Sequence, residues 1–171
     1  MILETERLSL QPLTVSDADS LFPIMNDAEV MAHWDVPEVD DPGLIEAIVA
    51  GQVSDMAAGR AVHWAIRTLA EETFLGACDL SDIDRWHKRA EIGFLLARDA
   101  WGQGYGLEAM RAVVSHAAGM GLRKLAARNH LGNRRSDSLL ERLGFKQEGL
   151  LRGHVLRDGK RRDVRLFGVL L

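Results

Sequence analysis

The stretch EIGFLLARDAWGQGYGLEAMRA at residues 91–112 decides the fold, because an apolar strand leads into a glycine-rich turn that opens an amphipathic helix. Gly102, Gly104 and Gly106 alternate with larger residues in the turn. Apolar side chains then recur at helical spacing, at Leu107, Met110, Val113, Val114 and Ala117. Glycines let a backbone approach a ligand closely, and the first turn of a helix presents unpaired N–H groups at the positive end of its dipole. The turn is therefore predicted to hold phosphates.

Three other interpretations of the turn are open at this point. A P-loop is disfavoured because no lysine followed by serine or threonine comes after the last glycine. A dinucleotide-binding turn normally lies in the first strand–helix unit, with an acidic residue about 20 positions on. Here the turn lies past the middle of the chain and is followed by Arg123, Lys124 and Arg128. A tight strand-to-helix turn without a ligand is the third alternative.

Length and composition predict one compact domain over residues 1–171. The chain is 47% hydrophobic and no Pro/Gly/Ser-rich linker divides it. The opening segment MILETERLSL carries acids and no long apolar run, so we expect neither a signal peptide nor a membrane-spanning helix, and a cytoplasmic location. Cys78 is the only cysteine, which excludes an internal disulfide and a cysteine-rich zinc site, and its apolar surroundings predict a buried thiol.

Charge is divided unevenly along the chain. Residues 1–122 hold 8 Lys+Arg against 20 Asp+Glu, a net charge of -12, whereas residues 123–171 hold 13 against 5, a net charge of +8. The basic part lacks a nucleic-acid motif and has only Phe145 and Phe167 for base stacking, so we expect no nucleic-acid partner. A phosphate-rich cofactor near Arg134 and Arg135, with a cationic amine approaching acidic loops, accounts for both signs.

Periodicity and breakers predict an α/β (α+β) domain: a mixed, mostly antiparallel sheet flanked by helices on both faces. Predicted helices lie at residues 17–26, with Ser16 as the cap candidate, and at 44–58, 104–120 and 133–143. Predicted strands lie at residues 7–13, 62–68, 73–82, 89–97, 125–129, 145–156 and 163–170. The last two strands flank an Asp158-Gly159 turn.

Four segments of the chain resemble the GNAT superfamily of acetyl-CoA-dependent N-acetyltransferases, within it the branch of the ribosomal-protein-alanine acetyltransferases. They are ETERLSLQPL (4–13), LGACDLSDID (75–84), AEIGFLLARDAWGQGYGLEAM (90–110) and NRRSDSLLERLGFKQEGLLR (133–152). The family's pyrophosphate loop has Gln or Arg, two residues, Gly, one residue, then Gly or Ala. Gly104 and Gly106 match this loop, and Trp101 stands in its first position.

The resemblance implies direct transfer of an acetyl group from acetyl-CoA to an amine, without a covalent acyl-enzyme. It places the pantetheine arm along the backbone of one strand, at Phe94, Leu95, Leu96 and Ala97. It places the pyrophosphate on the amides of the turn, at Gln103, Gly104, Tyr105, Gly106 and Leu107. Asn133 matches a position that contacts the pantetheine arm, and it is equally a cap for the following helix.

Two residues are predicted to be catalytic. Glu91 lies thirteen residues before Gly104, close to the spacing of the catalytic glutamate in the histone-acetylating members of the superfamily. By this resemblance Glu91 would deprotonate the amine. Its structural alternative is an ion pair with Arg85, Lys88 or Arg89.

The family's usual general acid, a tyrosine, is replaced here by Leu140. Ser136 matches a serine that this branch places near the cofactor sulfur, and its structural alternative is a helix-capping role.

Trp34, within the acidic segment HWDVPEVDD at 33–41, and Trp86 are predicted to contact the acceptor amine, with ordinary packing as the alternative. His130 and His154 have no metal-ligand spacing with other residues, and His63 alternates with Trp64 in a strand, so no metal is predicted.

The predicted function is thus N-acetylation of a primary amine, either a protein N-terminus or a small molecule. The alternative is a catalytically silent acyl-CoA sensor or interaction domain. No membrane partner is expected, and the resemblance adds a homodimer as one expectation.

Overall fold

The computed structural model describes all 171 residues as one sheet of eight strands with helices on both faces. The strands are β1 (Leu3–Glu4), β2 (Leu8–Pro12), β3 (Val62–Thr68), β4 (Phe74–Asp84), β5 (Arg89–Leu96), β6 (Lys124–His130), β7 (Lys146–Arg157) and β8 (Lys160–Leu170). The helices are α1 (Ala18–Met25), α2 (Pro42–Ala57), α3 (Tyr105–Gly119) and α4 (Arg134–Arg142). None of them is long and apolar enough to cross a membrane.

The strand order across the sheet is β1-β2-β3-β4-β5-β6-β8-β7. Every neighbouring pair is antiparallel except β5 with β6, which are parallel. The predicted fold class, a mixed and mostly antiparallel sheet with helices on both sides, is therefore confirmed.

Two hydrophobic cores lie on opposite faces of the sheet, because apolar residues alternate with the strand period and repeat along the helices. On one face α3 packs on the sheet through Met110 and Val113, which contribute to a cluster with Trp64 and Leu125. On the other face α1 and α2 bury a second cluster, whose members include Leu21, Ile45, Val49, Ala65 and Leu95.

The N-terminal part of the structure differs from the prediction in two places. The short strand β1 was not predicted, and α1 begins at Ala18 rather than at residue 17 with Ser16 as its cap. The physical reason is Asp17, whose carboxylate accepts hydrogen bonds from the N–H and hydroxyl of Thr14 and pairs with Arg67. These bonds close a short 3-10 turn over Val15–Asp17 before the helix starts.

The C-terminal hairpin is longer than predicted. β8 starts at Lys160 instead of residue 163, so β7 and β8 pair up to Arg157 and Lys160. Asp158 and Gly159 both have positive φ, at 54° and 71°, which is the backbone of a two-residue hairpin turn.

Candidate active site

A cleft opens where the parallel strands β5 and β6 diverge. They pair only at residues 89–91 and 124–126, after which β5 continues beside β4 and β6 continues beside β8. The backbone of β5 beyond Glu91 therefore has no strand partner on the β6 side. The cleft has a volume of about 1100 Å³, and Phe94, Leu95 and Leu96 line it.

The glycine-rich turn forms one end of this cleft. Gly102 and Gly104 have φ of 75° and 83°, values that residues with a Cβ rarely adopt, and Gly104 occupies the position that starts α3. None of the six backbone N–H groups of residues 102–107 donates a hydrogen bond to a protein acceptor. Consecutive unpaired donors at the positive end of a helix dipole form a site for an anion.

The N-terminal segment fixes the outer side of the turn. Arg7 donates to the carbonyl oxygen of Gln103 at 3.1 Å, and its guanidinium lies 4.6 Å from the centre of the Tyr105 ring. The same guanidinium pairs with Glu108 at 2.7 Å. Burial opposes the charge of Glu108, but hydrogen bonds from Thr5 and Arg7 together hold its pKa below the ordinary value. This acid, in the first turn of α3, is thus neutralised by a protein cation.

Close packing and a stacked arginine fix the inner side of the turn. A Cβ at Gly106 would lie 3.2–3.4 Å from side-chain carbons of Leu139, Leu96 and Phe94, so α3 approaches β5 and α4 closely there. Trp101 donates its indole N–H to the carbonyl of Leu96 at 3.0 Å. The guanidinium of Arg135 lies 4.2 Å from the centre of the Trp101 ring and carries positive charge to the cleft.

The start of α4 lies across the cleft from β5. Asn133 caps this helix, since its side-chain oxygen accepts from the N–H of Ser136 at 3.3 Å. The capping role considered for Asn133 is therefore present. Ser136 lines the cleft, and its hydroxyl forms no hydrogen bond with the protein, so it remains available to a ligand.

Glu91 lies at the narrow end of the cleft, on the last residue of β5 that pairs with β6. Its Oε1 accepts from Nε of Arg128 at 2.6 Å, and this bond raises the pKa of Arg128. Of the three ion-pair partners considered from the sequence, none contacts Glu91 within 4 Å, and Arg89 pairs with Asp84 instead. Arg128 is 37 residues away along the chain, and the parallel pairing of β5 with β6 brings it close.

The segment before α2 forms the other wall of this end. Trp34 lines the cleft and is 37% exposed. Asp35 contacts Nε2 of the buried His130 at 2.6 Å. Two arginines of the C-terminal hairpin hold the segment: Arg157 donates to the carbonyls of Met31 and Trp34, and Arg162 donates to that of Ala32.

Asp79 on β4 also lines the cleft, and the sequence analysis did not select it. It lies directly across from His63 on β3 and from Gly93 on β5. Burial raises the pKa of Asp79 and lowers the pKa of His63. The sequence FLGACDL gives no sign that Asp79 is a site residue. Asp79 reaches the cleft because the residue opposite it on β5, Gly93, has no side chain.

Most of the predicted site residues line this one cleft: Trp34, Glu91, Phe94, Leu95, Leu96, Gly104, Tyr105, Gly106, Leu107, Asn133 and Ser136. Ala97 and Gln103 adjoin lining residues without lining the cleft themselves. Trp86 lies apart, 88% exposed, in the turn between β4 and β5.

A family profile described as acetyltransferase (GNAT) domain matches residues 7–146. The chain belongs to the GNAT acetyltransferases. It is 31% identical over 170 residues to the uncharacterized N-acetyltransferase p20 of Bacillus licheniformis, covering 98% of this chain and 95% of p20. The predicted family and acyltransferase class are thereby confirmed.

Two solved structures share the fold. RimL, a ribosomal L7/L12 α-N-protein acetyltransferase in complex with coenzyme A, superposes with a TM-score of 0.92 at 22% identity, covering 100% of this chain and 98% of RimL. Spermidine N-acetyltransferase from Vibrio cholerae, in complex with CoA and spermine, superposes with a TM-score of 0.85 at 19% identity, covering 97% of this chain and 96% of that enzyme. At these identities the likeness establishes the fold.

Proposed function

We propose that this GNAT enzyme binds acetyl-CoA with the pyrophosphate on the free amides of residues 102–107. The observation that carries the proposal is the run of six unpaired N–H groups at the start of α3, beside the unpaired edge of β5. An extended pantetheine arm can pair with that edge at residues 94–97, as an added strand would. Asn133 and the cationic side chains of Arg7 and Arg135 flank the same path.

Ser136 and Glu91 are proposed to act on the reacting groups. Ser136 has a free hydroxyl on the α4 side of the cleft and donates a proton or hydrogen bond toward the departing sulfur. Glu91 holds the incoming amine with Oε2, because Oε1 is bound to Arg128. Trp34 supplies an aromatic wall beside it.

We propose that the acceptor carries a single ammonium, as the N-terminus of a peptide does. Four acids line the cleft, and two of them are paired with arginines: Glu29 with Arg98 and Glu91 with Arg128. Asp35 contacts His130, which leaves Asp79 as the acid without a basic group in contact, whereas a polyamine needs several free carboxylates. The structural neighbours named for a ribosomal protein N-terminus and for spermidine represent these two acceptor classes.

The test has two steps. Isothermal titration with acetyl-CoA, desulfo-CoA and NAD should show binding of both CoA ligands and none of NAD. Thiol release is then measured with peptides bearing free N-termini, the same peptides with blocked N-termini, and spermidine. Turnover of free peptides alone is expected. Turnover of spermidine in preference to peptides contradicts the acceptor proposal, and CoA binding without turnover of any amine indicates the silent sensor.

A further inference from the structure

We propose that Asp79, with His63 behind it, accepts the proton that the acceptor ammonium must lose before it attacks the thioester. This inference rests on the proposed function, since it concerns the same cleft and the same amine. Glu91 was predicted from the sequence to deprotonate the amine; here Glu91 holds the ammonium, and Asp79 takes its proton.

The sheet register places these groups together. His63, Asp79 and Gly93 lie directly opposite one another on β3, β4 and β5. Ser81 and Glu91 oppose each other on the same face, two residues along β4 and β5 from Asp79 and Gly93. Farther along, this face is apolar and packs under α1 and α2 through Ala65 and Leu95. A polar patch therefore lies at one end of an otherwise buried face, where β5 and β6 diverge.

Gly93 opens Asp79 to the cleft. A Cβ at position 93 would lie 2.8 Å from Oδ1 of Asp79, a distance that real Cβ atoms do not show. The carboxylate thus lies over the backbone of Gly93, in the space that a side chain on β5 would otherwise fill. An amine held by Glu91, two residues before Gly93 on the same strand, comes within reach of this carboxylate.

Asp79 and Asp35 are the two carboxylates of this end without a lysine or arginine partner, and Asp35 is bound to His130 instead. Oε1 of Glu91 is occupied by Arg128 on β6. The other charged groups that act on the pair are Asp82 beyond it on β4 and Asp55 on α2, which is bound to Arg60. An arginine partner stabilises the charged form of a carboxylate. Glu91 is therefore suited to hold an ammonium, and Asp79 to bind its proton.

The titration behaviour of the pair agrees with this geometry. Burial raises the pKa of Asp79 above the ordinary value of 3.8, His63 and a hydrogen bond from Ser81 oppose the rise, and the negative charges of Glu91 and Asp82 add to it. Burial lowers the pKa of His63, so its imidazole is a neutral acceptor for the next transfer. A base whose pKa lies closer to the working pH is a more effective proton acceptor.

The step balances without another reagent. Asp79 takes one proton from R–NH3⁺, and the neutral nitrogen forms a C–N bond to the carbonyl carbon while the C–S bond breaks. The nitrogen then passes its second proton through the Ser136 hydroxyl to the thiolate, which gives the neutral amide and CoA–SH and leaves Ser136 unchanged. Asp79 releases its proton through His63 to solvent, so the net products are R–NH–CO–CH3, CoA–SH and one H⁺.

The decisive experiment is the pH profile of kcat/KM for Asp79→Asn with an amine that the wild type acetylates. The α-amine of a peptide has an ordinary pKa of about 7.7–8.0. At pH 6.5 we expect a loss of about 15- to 30-fold, the ratio of protonated to neutral amine that this pKa range gives. The loss should shrink toward unity at pH 9, where the amine is already neutral in solution. A loss of the same factor at every pH overturns the proposal, because it indicates a structural role.

Two variants and one direct titration complete the test. Asp82→Asn is the matched control, an exposed aspartate on the same strand with φ of 49°, which asparagine tolerates. Because the charge of Asp82 also raises the pKa of Asp79, the acid limb of this variant should move to lower pH, without the loss of rate at pH 6.5 expected for Asp79→Asn. Gly93→Ala should reproduce the low-pH loss while CoA affinity is kept, since the new Cβ displaces the Asp79 carboxylate.

Carboxyl ¹³C NMR of aspartate-labelled protein tests the raised pKa of Asp79 directly, even if the peptide acceptor proposed above is wrong. The resonance missing in Asp79→Asn should titrate above pH 3.8 in the wild type, and titration at or below that value refutes the assignment.

Discussion

Replacing Gly104 by alanine should weaken acetyl-CoA binding with little loss of stability. Gly104 has φ of 83°, and a new Cβ would meet only Nη2 of Arg7, at an ordinary 3.4 Å. The change is therefore a backbone effect, since a residue with a Cβ is disfavoured by about 1–2 kcal/mol in the left-handed region. The backbone N–H groups of residues 102–107 donate no hydrogen bond within the protein, so the ligand-free turn can change its φ angles and relieve strain while the carbonyls of Gln103 and Gly104 stay bonded to Arg7 and to the N–H of Glu108. Binding of acetyl-CoA forces the turn back into the strained conformation, which predicts a Kd raised roughly 5- to 30-fold.

The matched control lies at the other end of the same helix. Gly121 has φ of 84°, and a Cβ added there would have nothing within 4 Å, but backbone bonds from Gly121 to Ala118 and from Leu122 to Ala117 hold it in place. In Gly121→Ala the strain should therefore destabilise the folded protein and lower its Tm by roughly 2–8 °C. The Kd for acetyl-CoA should be unchanged.

Isothermal titration and thermal unfolding of both variants separate the two effects. If Gly104→Ala lowers Tm as Gly121→Ala does and leaves Kd unchanged, the turn is rigid without its ligand. That result would contradict the claim that the ligand-free turn relaxes. A loss of affinity far beyond 30-fold would also refute it, because it requires a clash that the structure does not contain.

Three further variants test the acceptor end. Glu91→Gln should lower kcat and raise KM for the amine without changing the Kd for CoA; because the charge of Glu91 raises the pKa of Asp79, the acid limb of the rate profile should also move to lower pH. Trp34→Ala should raise the amine KM, whereas Trp86→Ala, at an exposed position outside the cleft, should leave it unchanged in the same steady-state assay. Asp79→Asn should increase the free energy of unfolding in urea at pH 7 relative to the wild type: a carboxyl whose folded pKa is raised binds more protons in the native state, so wild-type stability falls as pH rises above 3.8 through the folded pKa. This advantage should be absent below pH 3.8, and an advantage of equal size at both pH values would contradict the burial argument.

The features that the sequence predicted are those that local patterns determine. The strand, glycine turn and helix of residues 91–112 form a continuous unit, so spacing alone indicated the unpaired amides. The fold class followed from the order of apolar periods and from the resemblance. Asn133 was predicted as a cap because capping depends on residues only three positions apart.

The features that the sequence did not predict depend on sheet pairing between distant segments. Glu91 was expected beside Arg85, Lys88 or Arg89, its neighbours along the chain, but the parallel pairing of β5 with β6 gives it Arg128. Asp79 becomes accessible only because Gly93 lies opposite it in the register. The sequence of one strand cannot predict that the residue opposite it on the next strand lacks a side chain.

The two arginines that hold the segment around Trp34 separate the assembly of the two ends of the cleft. Most of the cofactor end lies within residues 91–136, with Arg7 as a distant support, whereas the acceptor wall needs Arg157 to reach the carbonyl of Met31 across 126 residues. Closing so long a loop is entropically costly and slow relative to local contacts. Until the C-terminal hairpin is made during synthesis, the segment around Trp34 lacks the hydrogen bonds of Arg157 and Arg162, so the acceptor wall is completed later than the segment itself is made.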